Sequence, residues 1–172
     1  MNETIKTILS RRSVRDYKPE QIPAELLTEI VNAGQYAPSA MGRQQWLFVA
    51  VRDKALMARL GADCKSTMGM GEDPFYGAPA AVIVFGEKDG FEPIKDGACA
   101  IATMGIAAKS LGLGSCWINI GKEFFPTEKG QEYLKELGVP DGYVPVGTLI
   151  LGYPAADPQP AARKAGTVIN IG

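Results

Sequence analysis

The chain has no histidine in 172 residues. That absence removes the side chain that most often serves as general base, proton shuttle and zinc ligand. Cys64, Cys99 and Cys116 are an odd set at wide spacing, with no C-x-x-C pair, so neither a disulfide framework nor a metal site is expected from them. Charge of one sign is also missing: 18 Lys and Arg against 19 Asp and Glu leave a net charge of -1. Such a balance supplies no broad field for nucleic acid or an anionic membrane. No run approaches the ~20 apolar residues that a bilayer span requires, and the opening MNETIKTILSRRS is too polar for a secretory signal. The expected compartment is the cytoplasm. With metal, Ser-His and Cys-His chemistry unsupplied, an enzyme of this composition needs a cofactor to carry its reaction.

What is present reads as one mixed domain. A chain of this length buries a sizeable core without disulfides or structural metals, so a single unit over 1–172 is expected. Ile5, Ile8 and Leu9 share a helical face and predict a short helix over 4–10, ended by the charged, proline-terminated loop RRSVRDYKP. From Pro23, a favoured first helical position, Leu26, Leu27, Ile30 and Val31 recur at helical spacing until Gly34, which predicts a second helix. WLFVAV (46–51) predicts a buried strand with Trp46 and Phe48 in the core, and 54–60 a short helix. STMGMGEDPFYGAP (66–79) has no periodicity and is expected to be mobile. Then come AAVIVF (80–85) as a strand, 96–111 as a small-residue helix and SCWINI (115–120) as a strand. A polar-faced helix over 128–137, ending at Gly138, and a fourth strand, VPVGTLILGY (144–153), complete the pattern. The Pro/Ala stretch PAADPQPAARKAG cannot form a core, yet it leads into TVINI, which has strand composition.

Four clusters have the residue types that ligand chemistry needs. Arg11, Arg12, Ser13 and Arg15 put three guanidinium groups and a hydroxyl within five residues at a helix-to-loop junction; arginine forks and a serine hydroxyl suit a phosphate, although a solvated basic turn has the same spacing. In APSAMGRQQWLF (37–48), Ser39 and Gln44 suit the polar edge of a planar heterocycle, against the alternative of a plain helix-strand connection. In SLGLGSCWIN (110–119), Gly112 and Gly114 allow close backbone approach to a ligand, or simply turn the chain. Cys116, with no histidine to activate it, reads as an inert buried thiol. Arg163 and Lys164 follow the proline-rich stretch and take meaning only beside the other clusters.

Taken together and in order, RRSVRDY, APSAMGRQQWLF, FYGAPAAVIVF, DGACAIATMGIAAKSLGLGSCWIN and VPVGTLILGYP with a basic tail residue resemble the nitroreductase family across nearly the whole chain. The resemblance implies an α+β fold with a central, mostly antiparallel sheet flanked by helices, in an interlocked homodimer. Residues 154–172 would form a C-terminal arm exchanged between subunits. It implies FMN in a cleft between subunits, with Arg11, Arg12, Ser13 and Arg15 holding the phosphate, ribityl chain and pyrimidine edge, and Arg163 returning to the phosphate. The partner subunit's Pro38, Ser39 and Gln44 would complete the site, and the amides around Gly114 and Ser115 would face the flavin ring.

The implied activity is transfer of reducing equivalents from NADH or NADPH to a small aromatic acceptor, such as a nitroaromatic or quinone, by a ping-pong mechanism with no catalytic side chain and no metal. A flavin-storing protein with little turnover, and dehalogenation or flavin fragmentation on the same scaffold, are the competing readings. Three positions depart from the family pattern. Gly42 stands where the loop often has asparagine, Thr103 where the helix often has asparagine, and Ala161 where the tail often has lysine. Lys164 is a candidate compensating cation for the last.

Overall fold

The computed structural model describes residues 1–172. Its four strands, β1 (Trp46–Val51), β2 (Ala80–Glu87), β3 (Gly114–Ile118) and β4 (Tyr143–Gly152), form one sheet in the order β1-β2-β4-β3. Every neighbouring pair is antiparallel. β2 is central and buried from Ala80 to Gly86, and its period-two alternation divides the interior into two layers. Ala81, Ile83 and Phe85 face one core, and Ala80, Val82 and Val84 face the other. A strand buried on both faces is a continuous apolar run, which is why AAVIVF shows no polar alternation.

Six α-helices surround this sheet, and a single 3-10 turn spans Ala40–Gly42. On one side lie α2 (Ala24–Gln35) and α4 (Pro93–Ser110), which contribute Leu27, Ile30, Ile101, Met104 and Ala108. On the other lie α3 (Lys54–Thr67), α5 (Ile120–Phe124) and α6 (Glu128–Glu136), which bring Met57, Leu60, Phe124 and Tyr133 into one core with Phe85. Asp53 caps α3 by accepting from Leu56 N at 2.8 Å, and Thr127 caps α6 by accepting from Gly130 N at 3.1 Å. The buried Tyr133 hydroxyl donates to Asp63 at 2.7 Å, and Arg59 pairs with Glu136, so α6 is clamped to α3 by directional contacts as well as by packing. A hydrogen bond to a charged acceptor of this kind contributes about 1.5–3 kcal/mol. The remaining helix, α1 (Glu3–Ser10), buries no residue, so the apolar face of Ile5, Ile8 and Leu9 is uncovered in the single chain.

Several sequence expectations need correction. α3 runs to Thr67, beyond the expected end near residue 60, because Gly61 and Cys64 extend its buried face. β3 stops at Ile118, and the short α5, too brief to register as a periodic pattern, occupies 120–124. The second part of the stretch expected to be mobile is held in place: Phe75, Ala78 and Pro79 are buried, and Asp73 closes a tight turn ahead of β2. Trp46 and Phe48 are half-buried on the edge strand β1, with ring centroids 5.7 Å apart, instead of lying in the core. TVINI, whose expected pairing is with a second copy, forms no strand within one chain, and Val168, Ile169 and Ile171 are 73%, 87% and 97% exposed.

Candidate cofactor site

The basic cluster sits on a strap made of residues 11–18, which leaves the C-terminus of α1 and bridges to Ser115 in β3 and to Pro154 just beyond β4. Its inner residues are buried: Val14 and Tyr17 enter the core. Its backbone is fastened at both ends, since Val14 N donates to Ser115 O at 3.0 Å, Lys18 N donates to Tyr153 O at 2.9 Å and Ala155 N donates to Asp16 O at 2.9 Å. The Tyr17 hydroxyl donates to Val14 O at 2.7 Å, and burial pushes the phenol up, so this anchor stays protonated. Glycine at 114 is a packing requirement here: a Cβ would lie 3.0 Å from Val14, and a larger residue would lift the strap off β3.

With Val14 and Tyr17 turned inward, Arg11, Arg12, Ser13 and Arg15 line a cavity of about 660 Å³. Pro158, Gln159, Pro160 and Arg163 of the tail form its far wall. Four arginines therefore share one cavity, and no carboxylate is among its lining residues. The Arg11 and Arg15 guanidinium groups and the Ser13 hydroxyl make no hydrogen bond or ion pair within the chain. Arg12 is different, because its Nη1 donates to Leu9 O and Arg11 O, each at 2.8 Å, and so finishes the C-terminus of α1. Arg163 folds onto Ala161 O at 2.7 and 3.2 Å. Unpaired forks and a free hydroxyl around a carboxylate-free cavity match the chemistry of a phosphate.

A contiguous cavity of about 550 Å³ shares Arg11, Arg12 and Pro158 and is walled by Gly114 and Ser115. It also holds Lys18 and Lys109, which the sequence reading missed. No motif joins these two lysines; they meet only because the end of α4 packs beside the strap. The structure thus assembles Arg11, Arg12, Ser13, Arg15, Gly114, Ser115 and Arg163 around one cleft.

Pro38, Ser39 and Gln44 are not part of that cleft in a single chain. Their loop bends through left-handed residues at Met41 (φ 55°), Gly42 (φ 66°) and Gln44 (φ 54°), and glycine at 42 meets that geometry at no steric cost. Ser39 Oγ accepts from Gln44 N at 3.1 Å, and Asp96, buried in the first turn of α4, accepts from Ala40 N at 2.9 Å. The Gln44 side chain lines a separate cleft beside Trp46 and Phe48 at the sheet edge. Thr103, the departure in the helix, donates its hydroxyl to Cys99 O at 2.9 Å inside α4. No helix is long and apolar enough to cross a membrane, and no group of three or more His, Cys, Asp or Glu is placed to hold a metal ion.

The model of the nitroreductase family matches residues 8–153. A nitroreductase with bound FMN from Bacteroides fragilis superposes with a TM-score of 0.94 at 36% sequence identity, with 100% of both chains covered. Another nitroreductase with bound FMN, from Desulfitobacterium hafniense, gives a TM-score of 0.91 at 30% identity, again with 100% of both chains covered. An NAD(P)H FMN reductase of Bacillus subtilis is 28% identical over 199 residues, which spans 99% of this chain and 76% of that protein.

None of the cysteines is arranged as a nucleophile. Cys116 and Cys64 are each 1% exposed, and burial pushes the Cys64 thiol up to about 12. Cys99 alone is exposed. In the folded protein one thiol per chain should therefore react with a disulfide reagent at pH 8, and the Cys99→Ser variant should titrate none until denaturant is added. Rapid native labelling of that variant would show that the β3 or α3 thiol is accessible.

Proposed function

The chain belongs to the nitroreductase family, and from that footing we propose that it is an FMN-dependent oxidoreductase that moves reducing equivalents from NADH or NADPH to small aromatic acceptors such as nitroaromatics or quinones. The observation that carries the cofactor assignment is the carboxylate-free cavity lined by Arg11, Arg12, Arg15, Arg163 and Ser13. Its free donors fit a terminal phosphate, and the cleft continues past Gly114 and Ser115 with room for the rest of a mononucleotide. When bound, FMN supplies the two-electron store between the oxidative and reductive halves of turnover.

The chain's own residues then have a restricted set of tasks. Arg11, Ser13 and Arg163 take the phosphate, while Arg12 holds the end of α1 and offers its remaining donors. Arg15, at the outer end of the array, places a fixed positive charge at the pyrimidine edge, where negative charge is stabilised on reduction. The backbone at Gly114 and Ser115 walls the ring. The partner subunit's Pro38, Ser39 and Gln44 close the cleft, which agrees with their lying outside it in one chain. No side chain is assigned as an acid or base; positioning of donor and acceptor at about 3–3.5 Å is the protein's contribution.

The tail is proposed to cross between subunits. Pro154, Pro158 and Pro160 stiffen it, and Val168, Ile169 and Ile171 stand in water at its end. β1 meanwhile leaves one edge of the sheet unpaired. Pairing the arm with an edge of a second copy satisfies both, and covers an edge that otherwise promotes aggregation.

The purified protein should release FMN, not FAD, on denaturation. Arg11→Ala and Ser13→Ala should weaken FMN binding by roughly tenfold or more, the scale of a lost charge-assisted hydrogen bond, with unchanged circular dichroism; unaltered affinity in both would place the phosphate elsewhere. Initial rates at several acceptor concentrations should give parallel double-reciprocal lines, whereas intersecting lines require a ternary complex and exclude a shared binding face. Truncation after Lys164 should lower both dimer stability and flavin retention in sedimentation at low micromolar concentration. A truncated chain that stays a fully loaded dimer would remove the arm from the assembly.

A further inference from the structure

The turn ahead of β2 holds a residue in a conformation that its side chain disfavours. Tyr76 has φ 52°, in the left-handed region where a large residue is uncommon and glycine is at ease. The next residue, Gly77, is also left-handed at φ 66°. Asp73 imposes this geometry: its Oδ1 accepts from Phe75 N at 2.9 Å, its Oδ2 accepts from Gly77 N at 2.9 Å, and its carbonyl accepts from Tyr76 N at 3.1 Å. α3 is shaped to receive that carboxylate, since a Cβ at Gly61 would fall 2.6 Å from Asp73 Oδ1. The buried Phe75 ring anchors the other side. The turn is thus fixed on both flanks, and the strained residue it presents is an aromatic one.

That ring lies against the basic strap. The Arg15 guanidinium carbon is 5.9 Å from the centroid of the Tyr76 ring, within the range of a cation–π contact. The Tyr76 hydroxyl makes no hydrogen bond, and Arg15 has no ion pair or hydrogen bond. The choice of support matters chemically. A carboxylate in this place would hold Arg15 more tightly but would neutralise its charge and occupy its donors. An aromatic face restrains the guanidinium and leaves all five N–H groups and the full positive charge available.

We propose that Tyr76 is a positioning residue for Arg15: the Asp73 turn forces its ring beneath the guanidinium, so that Arg15 is held, undiminished in charge, toward the flavin. This rests on the assignment of Arg15 to the FMN site. Residues strained in this way persist where the surroundings over-determine them and commonly serve a site. Because the charge matters most when the flavin carries extra negative charge, the effect falls more on binding of the reduced form than of the oxidised form. It is therefore read in the flavin's midpoint potential.

The test compares Tyr76→Gly, Tyr76→Phe, Arg15→Gln and the Tyr76→Gly/Arg15→Gln double variant in the FMN-loaded protein, with FMN dissociation constants and midpoint potentials measured for each. Glycine suits the left-handed backbone, so Tyr76→Gly removes the ring without adding strain at the turn. It should weaken FMN binding by roughly two- to fivefold, the scale of an exposed cation–π contact, and shift the potential negative. Tyr76→Phe should restore both parental values, because the ring and not the hydroxyl supports Arg15. Arg15→Gln should shift both readings at least as far, and the double variant should match Arg15→Gln alone. Parental values in Tyr76→Gly beside an altered Arg15→Gln would overturn the role of Tyr76 and leave the FMN site standing, and additive losses in the double variant would show that Tyr76 acts independently of Arg15. Parental values in Arg15→Gln would overturn the assignment of Arg15 to the site, and this inference with it.

Discussion

The donors of the candidate site point outward because Val14 and Tyr17 point inward. One extended segment, fastened by backbone hydrogen bonds to Ser115 and Tyr153 and pegged into the core by these two side chains, has no freedom to rotate its basic residues away. Much of the nearby sequence answers to that constraint. Gly114 is small so that Val14 can lie against β3, and the buried Tyr17 hydroxyl is satisfied by Val14 itself. Arg12 is divided between ending α1 and lining the cavity. A site built on such a scaffold is organised before a ligand arrives, which is the condition under which fixed charges act most effectively.

The sheet to which this strap is fastened is organised by a division of labour along β2. Alternate residues serve separate cores, so the α2/α4 layer and the α3/α5/α6 layer are packed independently but share one backbone. The strap belongs to the second of these, beside Phe85 and Cys116. The loop at 38–44 is fastened to the first through Asp96 at the head of α4. Two groups of candidate residues are thus carried on opposite layers of a single chain, an arrangement that suits a cleft shared between two copies.

Legibility in the sequence followed the physical origin of each feature. The helix from Pro23 and the four strands are readable because burial writes its period directly into the residue pattern. The extent of α3 and the existence of α5 are not, since Gly61 and Cys64 are small or ambiguous residues and five residues offer too little periodicity. The misplacement of Trp46 and Phe48 has a related cause: composition marks an apolar strand but does not say whether it lies at the centre or the edge of a sheet. Among candidate site residues, the local cluster Arg11–Arg15 is visible as a run. Its convergence with Arg163, and the recruitment of Lys18 and Lys109, depend on tertiary contacts across most of the chain. The turn at Asp73 was hidden for another reason, because its order comes from side-chain to backbone hydrogen bonds that leave no hydrophobic period.

Four guanidinium groups around one cavity without a counter-charge also carry a thermodynamic burden. In the unliganded protein no carboxylate lines that cavity, so their mutual repulsion is screened largely by solvent and mobile ions, over a length of about 8 Å at physiological ionic strength. The same residues that attract a phosphate therefore make the empty fold less comfortable than its well-packed interior suggests. A bound dianion turns that liability into cohesion between the strap and the tail, and by linkage it is drawn to the folded chain in proportion to the repulsion it removes. Multivalent inorganic anions are expected to act as weak surrogates. The ligand-free protein is consequently a molecule whose thermal tolerance depends on the buffer it is kept in.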